Sequence, residues 1–235
     1  MWDGVAVALQ DRYTVLRYDH RGHGHSPTPA GAFTVDDLAD DAADLIRSHA
    51  ACGPAHFVGL SMGGMTAQSL GARYPQLVCS LTIANSASQY DEAARAMWQA
   101  RIANVRAAGI ASIVEGAMQR WLTPEFRTDQ TQGGAARVAA LRAVLEATAP
   151  DPYAVACDAV ARIELDAGNA RINCPTLVIA GNRDEATPPA MSERIANTIR
   201  GAQFRSLDAA HLSAVEQPQA FAALLIEFWS TVERK

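Results

Sequence analysis

Gly59-Leu60-Ser61-Met62-Gly63 has the spacing G-x-S-x-G, which makes a serine hydroxyl a nucleophile when it sits on a sharp turn between a strand and a helix. The flanking residues supply that context. His56-Phe57-Val58-Gly59 reads as a buried strand, and Met62 to Arg73 as a helix. Both glycines are expected because a Cβ at either position would clash in so tight a turn. The Met62 N–H then points to where a substrate carbonyl oxygen becomes negative, with the positive end of the helix behind it.

A serine hydroxyl is a poor nucleophile at neutral pH and needs a base. Of the six histidines, His211 in Ala209-Ala210-His211-Leu212 follows the last strand-like segment, and a loop there can reach Ser61. Asp184, in Gly181-Asn182-Arg183-Asp184, follows the strand before it and can orient the imidazole. The chain order Ser61, Asp184, His211 is the one expected for a nucleophile, acid and base arranged around such a turn. Acyl transfer by this set requires neither cofactor nor metal.

Two other clusters invite a metal reading and fail it. His20, His23 and His25 lie within Asp19 to Ser26 with no cysteine or suitably placed acid, and the alternating glycines indicate a tight loop. Asp36, Asp37, Asp40, Asp41 and Asp44 fall at helical spacing, which cannot wrap a calcium ion, and read as a solvated helix face.

The elements that must position these groups alternate between short apolar runs and amphipathic helical patterns, the pattern of a parallel sheet covered by helices. Strands are expected at Tyr13–Tyr18, His56–Gly59, Leu77–Ala84, Pro175–Ala180 and, more weakly, Gln203–Leu207. Thr34 with Asp37 forms a capping box opening a helix whose inner face is Leu38, Ala42 and Leu45. Alanine-rich helices without a strand fill the middle, so the domain reading is a core over 1–86, a helical cap over 87–173 and a second core part over 174–235. The closing helix buries Phe221, Leu224, Leu225 and Phe228. The segment 128–134 is read as a flexible loop.

With 235 residues, 49% apolar and 19% charged, the chain is long enough for one well-buried domain. Its net charge of −5 offers no basic field for nucleic acid or anionic lipid. There is no run of eighteen apolar residues and Met1-Trp2-Asp3 does not open a signal peptide, so a cytoplasmic protein with no membrane partner is expected. Cys52, Cys79, Cys157 and Cys174 are scattered and read as reduced, mostly core thiols.

The motifs together resemble the α/β-hydrolase fold: Gly59 to Gly64, the loop Asp19-x-Arg21-Gly22-x-Gly24-x-Ser26, Gly181 to Pro188 with Asp184, and His211 followed by Glu216-x-Pro218. Met97-Trp98-x-x-Arg101-Ile102, Arg120-Trp121-Leu122-Thr123-Pro124-x-Phe126 and the tail Ala209 to Pro218 resemble more narrowly the 3-oxoadipate enol-lactonases. That resemblance implies a small lactone or ester as substrate, opened through an acyl-enzyme in aromatic compound catabolism. The lactone's carboxylate would need a cation, for which Arg101, Arg120 and Arg127 are candidates, and Trp98 and Trp121 would line the pocket. A broader carboxylesterase or perhydrolase and a non-catalytic binding module are the alternatives. Dehalogenases and epoxide hydrolases of this fold carry an aspartate where Ser61 stands.

The resemblance also implies two or three strands and a His-Gly oxyanion loop ahead of a helix at Trp2–Leu9, one of those strands lying between the Tyr13 and His56 strands. The sequence does not contain them, and Met1 is therefore read as an internal methionine of a longer protein.

Overall fold

The computed structural model describes residues 1–49, 52–130 and 133–233. Four strands, β1 (Ala55–Leu60), β2 (Val78–Ala84), β3 (Thr176–Gly181) and β4 (Gln203–Leu207), form one parallel sheet in that order. Their registers align the carboxyl ends: Leu60 pairs with Ala84, Ala84 with Ile179, and Gly181 with Leu207. Whatever follows each strand therefore emerges at one edge of the sheet.

Pleating sends alternate side chains to opposite faces, and each face has its own core. Leu177 and Ile179 pack with α1 (Asp3–Leu9) and the closing helix α12 (Pro218–Val232), while Val178, Leu81 and Ile83 pack with α2 (Val35–Ser48), α3 (Met62–Arg73) and α10 (Pro189–Thr198). Helices on both faces explain why the central strands β2 and β3 are buried along nearly their whole length, while β4 at the edge keeps the exposed Arg205 and Ser206. In α12 Phe221, Leu225 and Phe228 are buried as expected, while Leu224 is only half-buried and Trp229 joins the core instead. The Thr34 and Asp37 side chains each accept from the other's backbone at the start of α2, a cap of about 1 kcal/mol.

Between β2 and β3 lie α4 (Glu92–Ala108), α5 (Ala111–Trp121), α6 (Pro124–Thr128), α7 (Gly134–Glu146), α8 (Pro150–Ala161) and α9 (Asp166–Asn169). The ends of this helical insertion are tied together by a single antiparallel bridge, Gln89 to Glu164, and by the Leu165 N–H donating to the Ser88 carbonyl at 2.7 Å. The loop read at 128–134 falls partly on 131–132, outside the described residues.

Four expectations need correction. Tyr13–Tyr18 forms no strand: the expected intervening strand has no counterpart among the described residues, so its backbone has no ladder to join, and Val15 and Leu16 stay exposed. The acidic row of α2 is not simply solvated. Asp36 accepts from Ser69, Asp40 from Tyr74, and Asp41 from Arg21, so the row docks α2 onto α3 and the Asp19–Ser26 loop. Of the cysteines, only Cys157 is buried. The glycines of the serine turn are unequal, for the reason given next.

Candidate active site

Ser61 stands between β1 and α3 with φ 55° and ψ −117°, a conformation that costs a non-glycine residue about 1–3 kcal/mol. The surroundings hold it there: its N–H donates to Ala84 O at 2.9 Å, and its carbonyl accepts from Met65 N at 3.0 Å and from Ser86 Oγ at 2.9 Å. A Cβ on Gly59 would overlap the Gly63 carbonyl, so that glycine is required. One on Gly63 would meet only His20 Cε1 at 4.0 Å, an ordinary contact, whereas one on Gly64 would fall 2.7 Å from Ser86 Cβ. The close approach demands Gly59 and Gly64, not both glycines of the motif. The Met62 N–H lies in the first turn of α3, where no helical carbonyl can take it.

Asp184 and His211 follow β3 and β4 at the same sheet edge and meet there. His211 Nδ1 is 2.8 Å from Asp184 Oδ2, and the two residues are only 5% and 4% exposed. Asp184 Oδ1 accepts from the N–H groups of Ala186 and Thr187 at 2.8 and 2.9 Å. Its Oδ2 also accepts from Thr187 Oγ1 at 2.7 Å and Asn85 Nδ2 at 3.0 Å. Burial by itself would raise the Asp184 pKa. The hydrogen bonds and the charge of His211 outweigh it and hold the carboxyl below its usual range. Among the described residues no hydrogen bond joins Ser61 Oγ to His211, as is common before substrate binds.

The structure separates the expected substrate residues. Arg120 and Arg127 line a cleft of about 510 Å³ between the insertion and the Asp184 loop, together with Thr123, Arg183 and Ala210. Arg183 is paired with Glu125 at 2.8 Å, but Arg120 has no hydrogen bond or ion pair among the described residues, and the Arg127 Nε is buried without a partner. Arg101 is held inside the insertion: its Nε donates to Tyr153 Oη at 2.8 Å, its guanidinium lies over the Trp98 and Tyr153 rings, and its Nη2 is buried and unpaired. Trp98 meets Tyr90 edge-on at 6.1 Å, and Trp121 packs on the same apolar cluster.

The Asp19–Ser26 loop folds on itself, with His25 N–H and the Ser26 hydroxyl both donating to Asp19. Among the described residues no group of three or more His, Cys, Asp or Glu is placed to hold a metal ion. No helix there is long and apolar enough to cross a membrane. The sequence reading assigns no role to Asn85, Thr187, Ser213 or Glu216, which hydrogen-bond around Asp184 and the backbone beside His211. Asn85 directly follows β2 at the carboxyl edge of the sheet and Glu216 lies in the tail motif after His211, and those are the available signals.

Residues 1–218 match the alpha/beta hydrolase fold family. The chain is 38% identical over 221 residues to 3-oxoadipate enol-lactonase 2 of Acinetobacter baylyi, covering 94% of this chain and 80% of that one. It superposes on the enol-lactonase from Burkholderia xenovorans LB400 with TM-score 0.90 at 32% identity, covering 97% and 85% of the two chains. A thermophilic esterase from Thermogutta terrifontis, solved with malate bound, gives TM-score 0.88 at 28% identity, covering 98% and 85%. With the family match over residues 1–218 and relatives of this similarity, the chain belongs to the alpha/beta hydrolase fold family.

Proposed function

We propose that the chain is a cytoplasmic, cofactor-free serine hydrolase that opens 3-oxoadipate enol-lactone in the breakdown of aromatic compounds. The observation that carries the reading is the buried Asp184–His211 pair at the sheet edge where Ser61 leaves β1. Ser61 Oγ attacks the lactone carbonyl while His211 Nε2 takes its proton, and Asp184 stabilises the resulting imidazolium. The Met62 N–H donates to the oxyanion. As the ring opens, His211 returns the proton to the enol oxygen; it then activates water, which hydrolyses the acyl-enzyme and restores Ser61.

The lactone's carboxylate needs a cation with donors to spare. Arg120 is the choice, with Arg127 beside it, because both line the cleft next to Asp184 while Arg183 is already paired and Arg101 is engaged by Tyr153. Trp98 and Trp121 supply apolar walls, and residues 87–173 act as the cap over the core.

The similarity to an esterase favours a second reading, a carboxylesterase of broader acyl range. Comparing kcat/KM on the enol-lactone and on an aryl acetate decides between them: preference for the lactone by orders of magnitude supports lactonase, and the reverse rejects it. Absence of Ser61 labelling by a fluorophosphonate would instead point to a binding module.

A further inference from the structure

The backbone on either side of His211 is tied to a single turn of the helical insertion. Before it, Ala210 N–H donates to Glu216 Oε1 at 2.9 Å, and the same carboxylate accepts the Thr123 hydroxyl at 2.5 Å and the Thr123 N–H at 3.3 and 3.4 Å. After it, Leu212 N–H donates to the Trp121 carbonyl at 3.0 Å. Residues 210 and 212 are thus anchored to residues 121 and 123. The Asp184 hydrogen bond orients the His211 ring but does nothing for the backbone that carries it.

Glu216 is an unusual choice for a purely structural tie. Its carboxylate is partly withdrawn from water, and that withdrawal disfavours its charge. Two backbone donors and a hydroxyl from two separate segments converge on it. Arg120, in the last turn of α5 immediately before the segment that Glu216 grips, lines the cleft beside Asp184.

We propose that Glu216 is a positioning residue for His211, locking the base's backbone to the Trp121–Thr123 turn so that the base and the substrate-facing arginine keep one relative placement. The role rests on the hydrolase reading. It deepens that reading by making rate, and not only affinity, depend on a carboxylate that never meets substrate.

Glu216→Gln keeps the shape but replaces one acceptor oxygen by an amide NH₂ facing a donor, and Thr123→Val removes the hydroxyl. On the enol-lactone each should lower kcat about ten- to a hundredfold with KM within about twofold, since misplacing a reacting group by about 1 Å costs that much. Thr123→Ser, which restores the hydroxyl, should recover most of the loss. The rate of Ser61 labelling by a fluorophosphonate should fall in the same proportion.

An activity-free readout separates the two ideas. The His211 Nδ1–H proton, bonded to Asp184, should give a low-field NMR resonance that exchanges faster with water in Glu216→Gln. It should not do so in Glu115→Gln, which alters only the exposed contacts of Glu115 with Arg142 and Gln119. If the parent chain neither turns over lactone nor labels, the hydrolase reading fails, and the resonance still decides whether Glu216 positions His211. Variants that melt lower yet keep parental kcat, labelling rate and resonance overturn the proposal, as does a Thr123→Ser no better than Thr123→Val.

Discussion

Asn85 and Asp184 meet across the carboxyl edge of the sheet, the Asn85 side-chain amide donating to Asp184 Oδ2 at 3.0 Å. Asn85 sits fully buried with φ 46°, a left-handed conformation that asparagine tolerates better than most residues. The Ser213 hydroxyl donates to Asn85 Oδ1 at 2.6 Å, which fixes the amide so that its NH₂ group faces Asp184 and the Ala210 carbonyl. One side chain thus links Asp184, the residue before His211 and the start of α11 (Ser213–Glu216).

Asn85→Ala should therefore cost both stability and rate. It strips a donor from Asp184 and an acceptor from Ser213 in a buried site, where each unsatisfied group costs about 1–3 kcal/mol. Urea denaturation should show a loss of that size, with kcat reduced about tenfold or more. Parental stability together with parental kcat would mean that water replaces the amide and the network carries nothing.

Ser61 offers a separation of stability from chemistry. Its φ of 55° with ψ −117° is a region glycine enters at little cost, so Ser61→Gly should melt above Ser61→Ala by the equivalent of about 1 kcal/mol or more. Both variants should lose at least about 10³-fold in kcat, because both lack the attacking oxygen. Asp184→Asn should be comparably damaging, since its amide can hold the wrong histidine tautomer. Equal melting temperatures for the two Ser61 variants would show that the turn is unstrained.

The sequence made the sheet legible wherever a segment carries its own signal. Three apolar runs and the weaker signal at Gln203–Leu207 became β1 to β4, and the serine turn and the order Ser61, Asp184, His211 could be proposed from short motifs. Tyr13–Tyr18 failed because a strand is a relation to a neighbour, and a β-rich composition cannot say whether the neighbour is there. The roles of Asn85 and Glu216 were illegible for a related reason, although Glu216 stands in the tail motif after His211. Each is a single polar residue with a partner 99 or 93 positions away, a relation that no local spacing betrays. The arginines could be listed but not ranked, since pairing partners such as Glu125 and Tyr153 emerge only on folding.

That ranking has a kinetic test. Arg120→Ala should raise KM for the anionic lactone about ten- to a hundredfold, the size of a lost charge-assisted hydrogen bond, and leave a neutral ester of the same acyl size unchanged. Arg127→Ala should act in the same direction. Arg101→Ala should chiefly lower the melting temperature, because it abandons Tyr153 and the packing over Trp98. A selective KM effect at Arg101 and none at Arg120 would move the carboxylate site into the α4–α8 interface.

The last expectation concerns acid stability and rests on His20. The ring lies beside the serine turn, 3.4 Å from both the Tyr18 hydroxyl and Thr66 Oγ1. Burial, aided by repulsion from His23 and opposed by Asp41 and Asp19, pulls its pKa from 6.5 down to about 4. The unfolded chain therefore takes up the proton first. The contribution of His20 to stability is fully present above about pH 6.5 and is lost as pH falls toward 4, below which both states are protonated. A shift of that size corresponds to at most about 3 kcal/mol. The depressed carboxyl of Asp184 acts in a different window, its contribution being lost only as pH falls below its unfolded value of 3.8. His20→Gln, neutral throughout, should flatten the dependence of unfolding free energy on pH between 6.5 and 4.5 while leaving the steeper loss below pH 4 in place. Urea titrations at pH 7, 5.5 and 4.5 measure this directly, and a variant that keeps the parental slope across that interval would place the acid sensitivity elsewhere.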